Sequence, residues 1–135
     1  MQKQRLIANS ILSVYLASFC TFGHAKTASP KIEATAHTGT ASYYSNRFHG
    51  RRTASGERFD QNELTAMHRS LPFGTRLRVT NLSNNSSVEV RVNDRGHPRN
   101  RRLLDLSKRA ALELGFLRSG LAQVKYEVIE SDEDG

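Results

Sequence analysis

Cysteine is nearly absent from this chain: Cys20 is the only one in 135 residues. An internal disulfide is therefore excluded, as is any cysteine-based metal knuckle. Close histidine pairs are missing too. None of His37, His49, His68 and His97 has a partner at zinc-motif spacing, and no helical metal pair with Glu is present, so neither metal nor cofactor is expected. Glycines do not fall in a nucleophile-elbow pattern, which leaves nucleophilic catalysis without a candidate. Aromatic residues make up only 7% of the chain and do not interleave with a basic stripe, so nucleic acid is not indicated as a partner. Acidic residues are outnumbered, 13 against 20 Lys and Arg. That excess is scattered. Its densest run, Arg99-Asn100-Arg101-Arg102, reads as a solvated loop before it reads as an anion site.

The only long apolar stretch lies at the N-terminus. Lys3 and Arg5 precede Leu6 to Phe22, and Gly23-His24-Ala25 sets small residues at the −3 and −1 positions of a cleavage site before Lys26. Residues 1–25 are thus expected to be a secretory signal peptide. Asn9, Ser10, Ser13, Ser18 and Thr21 interrupt the stretch and weigh against a membrane span. Lipid attachment at Cys20 is disfavoured because bulky Phe19 stands just ahead of it. Residues 26–38, rich in Thr, Ala, Ser and Lys, read as a flexible leader, and residues 131–135 as an acidic, solvated tail.

From Gly39 to residue 130 the pattern is mainly β. Thr40 to Tyr44 is strand-like, Leu77 and Val79 alternate within Arg76 to Thr80, and Val88, Val90 and Val92 alternate within Ser87 to Asn93. Val124, Tyr126 and Val128 repeat the period. Asn81 to Ser86 reads as a hairpin turn. Ser107 is placed to cap a helix from Lys108 to Leu114 that Gly115 would end, and Asp60 with Glu63 resembles a capping box for one or two further helical turns.

Two carboxylates stand out. Asp94, in Val92-Asn93-Asp94-Arg95-Gly96, sits where an alternating strand gives way to a loop, a rigid base with open access. There Asn93 is able to donate to a carboxylate, and Arg95 to tune charge or hold an anionic substrate. Glu57 lies in Thr53-Ala54-Ser55-Gly56-Glu57-Arg58-Phe59, a turn that would display it. Each also fits a plainer reading, a turn-forming Asp and a solvent-facing Glu. His68 in a short apolar stretch reads first as a half-buried, hydrogen-bonded histidine. Tyr43, Tyr44 and Phe48 either pack a barrel or stack on sugar faces.

The order of these segments is more specific than any one of them. Gly39-Thr40-Ala41-Ser42-Tyr43-Tyr44, Phe48 to Glu57, Leu64 to His68, Leu71-Pro72-Phe73-Gly74-Thr75, Val79-Thr80-Asn81-Leu82, Val92 to Gly96 and Asp105-Leu106-Ser107 together resemble the rare lipoprotein A domain. The resemblance covers about Gly39 to Ile129. It implies a six-stranded double-psi β-barrel with short helices, export to the periplasm or cell surface, and division or cell-wall proteins as candidate partners. It also implies lytic transglycosylase chemistry on peptidoglycan glycan strands, cleaving the β-1,4 bond between N-acetylmuramic acid and N-acetylglucosamine to leave a 1,6-anhydro end. In that scheme Asp94 and Glu57 are the catalytic pair and His68 their polar partner, while Tyr43, Tyr44, Asn93 and Arg95 contact substrate. The family's Asp-Arg-Gly segment usually continues Pro-Phe, whereas here His97-Pro98 follows. A non-catalytic wall-binding or division-associated module on the same barrel is the alternative.

Overall fold

Val88, Val90 and Val92 are buried while Ser87 and Glu89 are exposed, the period-two signature of a strand with one face on a core. The computed structural model describes residues 35–130, so the expected signal peptide, Cys20, most of the leader and the acidic tail lie outside the described residues. Six strands form: β1 (His37–Tyr43), β2 (Thr65–His68), β3 (Arg76–Asn81), β4 (Ser87–Arg95), β5 (Leu104–Leu106) and β6 (Leu121–Glu130). They close into a barrel in the order β1-β5-β2-β4-β3-β6. The β1–β5 and β2–β4 pairs are parallel and the remaining four antiparallel. Closure gives each of these strands a neighbour on both sides.

Leu77, Val79, Val92, Leu104, Leu106 and Val124 are fully buried and form the centre of the core. Removing each from water contributes roughly 1.5–3 kcal/mol. Helix α1 (Lys108–Glu113) adds Ala110 and Ala111 to the same cluster, followed by Leu114 and Phe116. Ser107 caps it as expected: its Oγ accepts from Ala110 N at 3.2 Å and donates to the Glu63 carbonyl. Gly115, at φ 76°, takes the left-handed conformation that ends the helix. The expected turn at Asn81–Ser86 is present, with Asn85 at φ 58°, and the Asn81 and Asn84 amides both donate to Leu114 O at 2.8 and 3.0 Å. The hairpin thereby satisfies a carbonyl at the helix end.

Several expectations are corrected. Strand β1 begins at His37, two residues before Gly39, because His37 and Thr38 pair with Tyr126 and Lys125 and the His37 ring stacks on Tyr126 at 4.9 Å. The leader therefore ends earlier than residue 38. Asp60 and Glu63 do not open a helix. Asn62 N donates to Asp60 Oδ1 and Glu63 N to Asp60 O, a local turn that ends because Thr65 must join β2. A 3₁₀ turn at Asn46–Phe48 stands where no helix was expected.

One irregularity positions the site. Across the parallel β2–β4 pair, Ala66 faces Val92 but Met67 faces Asp94, so Asn93 is an extra residue without a cross-strand partner. This bulge shifts the alternation by one. Asp94 would otherwise share the buried parity of Val88, Val90 and Val92; instead it is half-exposed, and Asn93 is the buried residue.

Candidate active site

The segment from Gly50 to Phe59 folds back on itself as a small hairpin. Phe59 N donates to Arg51 O at 2.7 Å, Gly50 N to Phe59 O at 2.8 Å and Thr53 N to Glu57 O at 2.8 Å, with Arg52 bridging Arg58. Its tip requires Gly56 at φ 90°, a conformation that a Cβ would strain. The tip docks on the bulge of β4: Ser55 N reaches Asn93 O at 3.4 Å, and Ala54 N donates to Asp94 Oδ1 at 2.9 Å. Two segments far apart in sequence thus bring Glu57 and Asp94 to one place.

Their surroundings differ. Glu57 receives both guanidinium nitrogens of Arg91 at 3.0 Å each and the Asn93 amide at 2.6 Å. The Arg91 fork, with Asn93 adding to it and burial opposing, lowers its pKa below the ordinary carboxylate value, so Glu57 is an anion at neutral pH. Asp94 instead accepts from two main-chain amides, Ala54 N and Arg95 N at 2.9 and 2.8 Å, and from the Tyr44 hydroxyl at 2.6 Å. No cation pairs with it among the described residues. Burial, and then the Asp94 carboxylate beside it, push the Tyr44 hydroxyl far above its usual pKa, so it remains a donor.

The structure does not bring His68 to either carboxylate. Its Nδ1 accepts from Ser70 N and Leu71 N at 3.0 and 2.9 Å, which assigns the ring proton to Nε2 and makes that nitrogen the donor to Tyr126 Oη at 2.8 Å. Nδ1 holds the turn after β2 and Nε2 ties that turn to β6. Burial, aided by Arg95, His37 and Arg69, pulls the His68 pKa down to about 4. The unfolded ring protonates below about pH 6.5, the folded one only near 4. Stability from His68 is complete above pH 6.5 and shrinks as pH falls toward 4. Urea unfolding at pH 7 and pH 5 is expected to show a larger loss for the wild type than for His68→Gln, and equal losses would mean the ring titrates freely.

Arg95 is likewise committed to structure. Its Nη1 donates to His68 O and Leu71 O at 3.1 and 2.6 Å, and its guanidinium lies 4.5 Å from the Phe73 ring centre. It braces the β2–β3 connection. Tyr43 is anchored by its hydroxyl to Leu117 O at 2.8 Å and lies against Phe116. Even so, Tyr43 and Tyr44 both line a cleft of about 350 Å³, together with Ser45, Arg47, Phe48, Arg102 and Asp105. Asn93, 1% exposed, serves Glu57 through its amide nitrogen, and its Oδ1 has no partner among the described residues.

Asp105 and Arg102 are the site residues that sequence reasoning missed. Asp105 accepts from Ser42 Oγ, from Asn100 Nδ2 at 3.0 Å and from Arg102 Nη1 at 3.4 Å. It faces Ser42 on β1 and Met67 on β2, and Met67 in turn faces Asp94, so both aspartates lie in one lateral row of the barrel. The signal was the Asp105-Leu106-Ser107 segment, and Arg102 was hidden in the basic run. Among the described residues no three His, Cys, Asp or Glu side chains converge as metal ligands.

Comparison with known proteins shows the family of the chain. A domain family described as "Lytic transglycolase" matches residues 36–126. The "Endolytic peptidoglycan transglycosylase RlpA" of Neisseria meningitidis serogroup B is 47% identical over 112 residues, 83% of this chain and 47% of that protein. The "Probable endolytic peptidoglycan transglycosylase RlpA" of Synechocystis is 55% identical over 92 residues, 68% of this chain and 29% of that protein. The chain spans less than half the length of these relatives. Among solved structures, an apo expansin of Clavibacter michiganensis superposes with a TM-score of 0.59 at 23% identity, covering 75% of this chain and 53% of that one. The Streptomyces papain inhibitor superposes at 0.58 with 21% identity, covering 71% of this chain and 96% of that one. These two carry the fold alone, a double-psi barrel. The family match runs from the start of β1 into β6 and takes in both carboxylates, and the chain belongs to the rare lipoprotein A family of double-psi β-barrel domains.

Proposed function

We propose that the chain is an exported endolytic peptidoglycan lytic transglycosylase, cleaving the bond between N-acetylmuramic acid and N-acetylglucosamine. The observation that carries this reading is the unequal carboxylate pair. Glu57 is held ionised by Arg91 and Asn93, while Asp94, next to the cleft through Tyr44, has no cation paired with it among the described residues. Such inequality separates an acid–base group from a fixed charge.

In this mechanism Asp94 protonates the glycosidic oxygen as the C1–O bond breaks and positive charge develops at the anomeric carbon. Glu57 supports that charge. The muramic C6 hydroxyl then attacks C1 and returns its proton to Asp94, so no water is consumed and the carboxyl is restored. Holding that hydroxyl in place makes the second step intramolecular. Tyr44 and the two amides fix the orientation of Asp94; His68 and Arg95 hold the β2–β3 connection, and their role is support at one remove from the reaction. The names of the relatives, which describe endolytic peptidoglycan transglycosylases, agree with this reading.

Mass spectrometry of purified glycan digested with the protein is the direct test, and 1,6-anhydro products are expected. Products with only reducing ends would mean hydrolysis. Binding without any product would favour the wall-binding module.

A further inference from the structure

The cleft lined by Tyr44, whose hydroxyl donates to Asp94, has a composition that neither proton transfer nor support of developing charge explains. Its aromatic walls are Tyr43, Tyr44 and Phe48, with Phe48 edge-on to Tyr44 at 5.7 Å. Its volume of about 350 Å³ is of the order of one sugar ring with a substituent. Two arginines and one carboxylate complete the lining. Arg102 lies 3.4 Å from Asp105 and 2.9 Å from Ser42 Oγ, so these two charges balance each other. Arg47 has no such partner. Its guanidinium is held 4.9 Å from the Phe48 ring centre, and no carboxylate lies within ion-pair distance of it among the described residues. The cleft thus carries one uncompensated positive charge next to an aromatic surface. A neutral sugar could only accept a hydrogen bond from that guanidinium, whereas an anionic one would add a charge pair and a bond about twice as strong.

We infer that this cleft is a subsite for a sugar unit bearing a carboxylate, with Arg47 as the carboxylate's partner and Asp105 as a fixed acceptor for the sugar's hydroxyl or amide groups. The inference rests on the glycan-cleaving reading and names which unit of the strand lies there. The two sugars of the strand differ in charge: the muramic unit carries a lactyl carboxyl group, or a peptide joined through it, and the glucosamine unit carries neither. Arg47 therefore fixes register, because a strand shifted by one unit would leave the guanidinium facing a neutral sugar. Four aromatic or cationic groups between the end of β1 and the 3₁₀ turn, Tyr43, Tyr44, Arg47 and Phe48, would then serve to choose which bond lies at Asp94.

Equilibrium binding tests this without requiring turnover. The probes are peptide-free strands with free lactyl carboxylates, the same strands with those groups converted to amides, and peptide-bearing strands. Wild type is expected to bind the amidated strands about tenfold more weakly than the free-carboxylate strands, a typical loss for a charged hydrogen bond at an open site. Arg47→Gln is expected to show the same loss on free-carboxylate strands and no further loss on amidated ones. Arg78→Gln, which removes the same charge from the exposed outer face of β3, controls for net charge. Tight binding of peptide-bearing strands that Arg47→Gln abolishes would place a peptide carboxylate, in place of the lactyl one, in the same cleft. Equal binding of free and amidated strands, or losses from Arg47→Gln and amidation that add, would overturn the inference. A wild type that binds in this charge-dependent way yet releases no anhydro product would sink the transglycosylase reading and leave the subsite standing.

Discussion

Asp94→Asn is expected to reduce release of anhydro products by ~10²-fold or more, in turnover and not in affinity. The substitution keeps shape and polarity but cannot exchange a proton. It also sets an amide where a carboxylate accepts from Ala54 N, Arg95 N and the Tyr44 hydroxyl, so at least one of those donors loses its acceptor. A melting curve must therefore accompany the kinetics. The informative companion is Tyr44→Phe, which removes one donor and leaves the carboxyl group. If Asp94 is the acid–base group, Tyr44→Phe is expected to shift the pH profile of turnover and to retain most of the rate. If Asp94 merely ties the Arg51–Phe59 hairpin to β4, the two variants would lose stability with little specific loss in turnover. Near-native turnover in a folded Asp94→Asn would end the assignment.

Much of the scaffold was legible because period-two burial writes itself into sequence. Strands β3, β4 and the buried half of β6 carry it plainly, and Ser107 with Gly115 marks both ends of α1. Strand β2 was not legible, since all four of its residues are buried and a fully covered strand has no polar face to alternate with. Strand β5, three residues long, is too short to show a period. The candidate carboxylates were found by their turn context and by resemblance, but their roles were separated only by partners remote in sequence. Arg91 lies 34 residues from Glu57, and Tyr44 lies 50 residues from Asp94. The bulge at Asn93 was invisible for the same reason: nothing in Val92-Asn93-Asp94 shows that one residue will be skipped by the neighbouring strand. His68 and Arg95, whose residue types suit chemistry, are spent on backbone groups.

Glu57→Gln is expected to reduce turnover by a comparable ~10²-fold, by a different route, with a pH signature that identifies it. The wild-type carboxylate carries a full negative charge held in place by Arg91 and Asn93, and a positioned charge stabilises developing charge of opposite sign without reorganising. Glutamine keeps the reach to Arg91 through its amide oxygen but supplies no charge. Because Arg91 lowers the Glu57 pKa from its ordinary 4.5, folding favours the ionised form, and the resulting stability is present above that value and lost as pH falls through the lower folded value. The stability gap between wild type and Glu57→Gln should therefore be widest near neutral pH and close in acid. With its side chain 37% exposed, the pair is partly screened by solvent, and added salt should narrow the gap as well. Glu57→Asp separates the two roles: it keeps the charge and shortens the arm, so it should recover more turnover than stability. A variant series in which activity follows stability step for step would instead make Glu57 a clamp for the hairpin, and Asp94 would then have to perform the chemistry without a second carboxylate.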